Sequence, residues 1–93
     1  MSGYEELEVI LAEALAQSAH GKGKDRHARE NVPFDRQPIC EIARMVGPGF
    51  ATGQAVKKAQ ESARLPAGAA VHELLGAIVY CAAAILVIRE GGE

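Results

Sequence analysis

An all-α fold, a small four-helix domain covering residues 1–93, follows from three features of the sequence. Apolar residues recur at three- and four-residue spacing, and no segment alternates in the two-residue period of a strand. Proline and glycine cluster in the gaps between the periodic segments, as in "HGKGK" and "GPG". The chain is 48% hydrophobic and 24% charged, a globular balance, and its length suits one domain.

The first helix opens with Ser2 and Glu5 at capping-box spacing. Leu7, Ile10, Leu11, Ala14 and Leu15 form its apolar stripe. Glu5, Glu6, Glu8 and Glu13 fill the first turn and the other face, where acids suit the helix dipole. Gly21 and Gly23 end it. Residues 20–37 show no apolar period, and Pro33 and Pro38 block a continuous helix, so a long loop is expected, with Phe34 as its anchor to the helices. A short second helix, "PICEIARMVG", has proline in its first turn and glycine at its end, with Ile39, Ile42, Ala43 and Val46 on one face. The third runs from about Phe50 to Arg64, with Thr52, Val56, Ala59 and Ala63 inward, the small Gly53 and Ala55 beside them letting a neighbouring helix come close, and Lys57, Lys58, Glu61 and Arg64 outward. Pro66 starts the fourth, which extends to about Glu90 and completes a C-terminal helical hairpin.

Within that last helix Leu74 to Ile88 carries no charge. This run is roughly 22 Å long as a helix, short of the roughly 30 Å of a bilayer core. The expectation is a helix covered by protein on most sides rather than a membrane span. Much of the apolar content is alanine, aromatics are 4% and Trp is absent, so a single chain has little to bury. A homo-oligomer centred on the last helix is therefore expected. Cys40 and Cys81 lie in apolar stretches without a CxxC partner, and no signal-peptide pattern opens the chain. They read as reduced, buried thiols in a cytoplasmic protein.

Function is most legible in "HGKGKDRHAR", His20 to Arg29. Four basic residues stand there against one Asp, in a chain whose net charge is −2. Gly21 and Gly23 allow close backbone approach and an anion nest. Lys22, Lys24, Arg26 and Arg29 add charge-assisted donors, and His27, Tyr4 or Phe34 are candidates to stack on a base. Lys57, Lys58 and Arg64 form a second positive group on the third helix, which would share a pocket with the loop if the loop folds over that helix. A phosphate-bearing small ligand, a nucleotide, fits these residues; a solvated surface loop is the competing reading. The loop lacks a P-loop's GKS or GKT. His20, His27 and His72 form no metal-ligand motif, no nucleophile signature surrounds Ser18, Thr52 or Ser62, and no cofactor is implied. Nucleic acid is a poor partner, since the basic residues are few and the first helix is acidic.

Two resemblances bear on these residues. "EELE" at Glu5–Glu8 and "HELLGAIVYCAAAI" from His72 resemble the helical ends of MazG-like nucleotide pyrophosphohydrolases, all-α enzymes that bind magnesium through ExxE and ExxD. The resemblance implies magnesium-binding roles for Glu5, Glu8 and Glu73, but Gly76 stands where the aspartate belongs. The short helical plan, the basic loop and the hairpin "QAVKKAQESARLPAGAAVHELLGAIVYCAAAILVIRE" look like small phage and prophage proteins, some of them oligomeric anti-defence sponges that sequester cyclic-nucleotide signals uncleaved. The expectation is non-catalytic binding or sequestration of a nucleotide. The alternatives are a diverged pyrophosphohydrolase and a protein-interaction or inhibitor module.

Overall fold

The computed structural model describes residues 3–20 and 32–91. They form helix α1 (Glu5–His20), a 3-10 turn (Phe34–Arg36), α2 (Pro38–Val46), α3 (Gly49–Ser62) and α4 (Ala67–Glu90), with no strand among the described residues. The all-α prediction holds, and each helix lies where the apolar period puts it. α3 and α4 pack on each other most extensively, and α4 also touches α1 and α2. It is the element around which the chain is arranged.

The helix ends follow local chemistry. α1 begins at Glu5, and the Tyr4 carbonyl accepts from the Glu8 amide at 3.0 Å; Ser2, the expected cap, lies outside the described residues. The Glu5 carboxylate still reaches back, accepting from the Gly3 amide at 3.0 Å. α2 starts on Pro38 and stops at Gly47, whose φ of +98° is open to glycine and strained for other residues. The Gly47 amide there donates to the Ala43 carbonyl at 2.8 Å. The Arg44 guanidinium ties α2 to the far end of α4 by a forked pair with Glu90, at 2.7 and 2.9 Å.

Packing departs from the sequence expectation in one consistent way: the helices meet through small side chains. Among the described residues the buried apolar ones are Ala14, Cys40, Ala43, Ala51, Ala55, Ala83 and Ala84. Phe34, Ile39, Phe50, Tyr80 and Leu86 are half-buried around the cluster of Cys40, Ala51, Ala83 and Ala84, and Phe34 anchors the segment before α2 as expected. The α1 stripe buries Ala14 alone, leaving Leu7, Ile10, Leu11 and Leu15 exposed. On α2 the inner side is Cys40 and Ala43 beside Ile39, while Ile42 remains partly exposed and Val46 faces out. On α3 it is Ala51 and Ala55, about a third of a turn from the expected Thr52, Val56, Ala59 and Ala63. Alanine lets two helix backbones approach closely, and a row of valine or leucine holds them apart.

α4 is also less covered than expected. Its 24 residues span about 36 Å, and its most apolar stretch has a mean hydropathy of 2.2 with 11% buried. By length and composition it is able to cross a membrane. Cys40 is buried as expected, but Cys81 is exposed, on the side of α4 away from the core.

Candidate functional site

A groove of about 360 Å³ lies where all four helices converge. α1 contributes Gln17 and Ser18 from its last turn, and the 3-10 turn contributes Phe34. Gln37, Pro38, Ile39 and Ile42 come from the start of α2. α3 presents Phe50, Gln54 and Lys58, and α4 presents His72, Gly76, Val79 and Tyr80. Three aromatic rings, three amide side chains and one ammonium thus share a mostly apolar hollow.

Its geometry rests on two tethers and one glycine. The Gln17 amide donates to the His72 carbonyl at 3.1 Å, holding the end of α1 against the start of α4. The Gln37 amide donates to the Val32 carbonyl at 3.2 Å, fixing the chain as it enters the 3-10 turn. Phe50 and Tyr80 meet edge to face, with centroids 6.1 Å apart and planes at 77°. Gly76 leaves room for the Lys58 stem: a Cβ there would stand 3.2 Å from Cδ and 3.3 Å from Cε.

Lys58 is therefore an inward residue, correcting the outward assignment. It sits at i+7 from Ala51 and i+3 from Ala55, on the inner face those alanines define. Its Nζ lies 3.6 Å from Glu73 and 5.8 Å from the centre of the Tyr80 ring. At 3.6 Å the carboxylate attracts the ammonium without a close hydrogen bond. The ammonium has three donors to offer. Lys57 points elsewhere, is largely exposed and reaches Glu61 at 4.0 Å. The expected Lys57–Lys58 pair is thus divided.

The other predicted ligand residues, Gly21, Lys22, Gly23, Lys24, Arg26, His27 and Arg29, lie outside the described residues. The ends of that segment do not. Described chain stops at His20, two residues beyond Ser18, and resumes at Val32, two before Phe34, and both Ser18 and Phe34 line the groove. Tyr4, at the opposite end of α1, is not a lining residue. Phe50, Tyr80, Gln17, Gln37, Gln54 and His72 were missed as site residues. Only Tyr80 carried a sequence signal, as a hydroxyl inside an apolar run one turn from Gly76.

The groups a catalytic reading requires are scattered. Glu5 and Glu8 are at the exposed start of α1, and Glu73 is engaged by Lys58. Among the described residues no three His, Cys, Asp or Glu side chains gather as a metal-binding group. Burial pushes the Cys40 thiol above its usual range despite nearby Arg44, so it is a poor nucleophile at neutral pH. Comparisons with protein families, with curated proteins and with solved structures find no match to this chain.

Proposed function

We propose that the chain binds a nucleotide in this groove and holds it without cleaving it. The observation that carries the reading is the meeting of an aromatic-lined hollow, an inward ammonium and both ends of the basic segment. Its volume, about 360 Å³, falls at the small end of ligand pockets and suits one nucleoside-sized ring system. Phe34, Phe50 and Tyr80 supply apolar faces for a base, and Gln37 and Gln54 supply amides for its edge. Lys58 offers charge for a phosphate, and Lys22, Lys24, Arg26 and Arg29, with Gly21 and Gly23 for backbone contact, are the candidates to add to it from the segment whose two ends border the groove. His27 is a further candidate to stack. Sequestration of a signal nucleotide, as by an anti-defence sponge, is the sharper form of this reading.

Calorimetry against linear and cyclic mononucleotides tests it. Wild type binds at least one of them, more weakly as salt rises. Lys58→Met, Lys24→Ala and Arg26→Ala each weaken binding by about ten- to a hundredfold, the worth of one charge-assisted bond. The bound nucleotide is recovered intact after incubation with magnesium. If no nucleotide binds, or binding keeps full strength in all three variants, the groove is not a nucleotide site. Magnesium-dependent turnover lost in Glu5→Gln or Glu73→Gln overturns the non-catalytic reading in favour of the pyrophosphohydrolase.

A further inference from the structure

The outer side of α4 carries a second pattern, independent of the groove. Val71, Leu74, Ile78, Cys81, Ile85 and Ile88 follow one another in alternating steps of three and four, the heptad spacing of a coiled-coil seam. Val71, Leu74, Ile85 and Ile88 are 51, 44, 48 and 48% exposed, and the Cys81 thiol is exposed between them. The inner side is occupied by its own chain: Gly76 meets Lys58, Tyr80 meets Phe50, and Ala83 is fully buried. α4 thus has two apolar sides, and its own chain covers one.

We propose that a second copy of this chain lays its α4 along the seam, knobs into holes. From Leu74 to Ile88 the helix has no charge, so a partner with a charged face would lose its hydration there without compensation. The same chain supplies an uncharged row of equal length and spacing. Ala77 and Ala82 beside the seam let two such helices approach closely. A bilayer is the poorer occupant despite the length of α4. α3, with Gln54, Lys57, Lys58, Gln60 and Glu61, packs along it, and α1 brings Glu5, Glu6, Glu8 and Glu13. Those polar helices would have to enter lipid or be stripped away. Eighteen helical residues, about 27 Å long and about 10–12 Å wide, give a footprint of about 300 Å² per copy, the size of a reversible contact.

Sedimentation equilibrium from about 1 µM to about 1 mM, the range a small interface spans, tests the seam directly. Wild type rises toward twice the chain mass, as does the control Val56→Glu, whose site on α3 is 67% exposed and off the seam. Ile85→Glu stays at one chain mass with its helical circular dichroism intact. Maleimide labelling adds a readout in unmutated protein, because Cys40 is buried and Cys81 is the reactive thiol. When about nine-tenths of wild type is paired, Cys81 labels about tenfold more slowly than in dilute protein. This keeps the test alive should Ile85→Glu fail to fold. A single chain mass with labelling independent of concentration overturns the proposal, as does association that Ile85→Glu leaves untouched. Cys81 protected by phosphatidylcholine vesicles but not by concentration assigns the seam to lipid instead. No nucleotide is present, so failure here is separate from failure of the groove.

Discussion

Substituting Gly76 sets helix propensity against the Lys58 stem, and the two magnitudes can be worked separately. Alanine in a helix interior is worth about 0.8–1.0 kcal/mol over glycine. Its Cβ would stand 3.2 Å from Lys58 Cδ, 3.3 Å from Cε and 3.5 Å from Nζ, so the stem must retreat by a few tenths of an ångström. A lysine whose side chain is 27% exposed can do that, at a cost bounded by its pair with Glu73, about 0.2–1 kcal/mol for a partly solvated ion pair. Gly76→Ala is therefore neutral to about 1 kcal/mol stabilising, a rise in Tm of up to about 8 °C in a domain this small. Leucine gains similar propensity but puts its branch where the stem lies, an overpacking cost of about 1–3 kcal/mol, with the ion pair lost as well. Gly76→Leu is expected to lower Tm. The decisive assay is a double-mutant cycle by thermal and urea denaturation. In a Lys58→Ala background the stem is gone, and the penalty of Gly76→Leu falls by about 1–3 kcal/mol. A penalty unchanged in that background would refute the reasoning, as would a Gly76→Ala protein less stable than wild type by more than about 1 kcal/mol.

Two further predictions concern stability. Ala51→Val overfills a fully buried contact and costs about 1–3 kcal/mol, whereas Val56→Ala, at a site 67% exposed, stays within about 0.5 kcal/mol by urea denaturation; the reverse order would restore the valine face of α3 as its core. The Arg44 hydrogen bonds hold the Glu90 carboxyl below its ordinary range. Its folded value thus lies below the unfolded one, and the pair stabilises fully above about pH 4.3 and fades as pH falls further. The Tm gap between wild type and Glu90→Gln should be constant near neutrality and close in acid, and a gap unchanged through the acid range would detach Glu90 from the acid response.

The helices were legible because the three- and four-residue period and the Pro and Gly punctuation are local properties. Pro38 and Gly47 bound α2 and Pro66 precedes α4, as the sequence implied. The faces were not legible. The prior that the largest apolar side chains turn inward selects Val56, Val46 and Leu11, and each is exposed. In a chain this rich in alanine, close helix contact through Ala51, Ala55, Ala83 and Ala84 competes with burial of valine and leucine, and a helical wheel cannot weigh the two. The same error hid the groove. Placing Val56 inside turns Lys58 out, and with it the contacts to Gly76, Glu73 and Tyr80 disappear from view. Cys81 was misplaced because an apolar run was equated with a covered one, although α4 shows its heptad row to the outside.

Lys58 and Gly76 account for each other, and the pair bears on the choice between binding and hydrolysis. Glu73 and residue 76 are one helical turn apart on α4, so an aspartate at 76 would set two carboxylates side by side. Such a pair needs a cation between them, and a divalent ion would satisfy both. With glycine at 76 the second carboxylate is gone, and the space its side chain would enter holds the Lys58 stem, with the ammonium 3.6 Å from Glu73. The lone acid is matched by a cation the chain carries itself. A magnesium ion brought there would face one carboxylate and a fixed positive charge, and repulsion by that charge opposes its binding. A phosphate is drawn to the same ammonium but has to compete for it with Glu73, 3.6 Å away. Gly76 thus leaves one carboxylate already balanced by Lys58 where an ExxD spacing would place two, an arrangement that disfavours a metal, while nucleotide binding, as proposed, asks a phosphate to share that ammonium with Glu73.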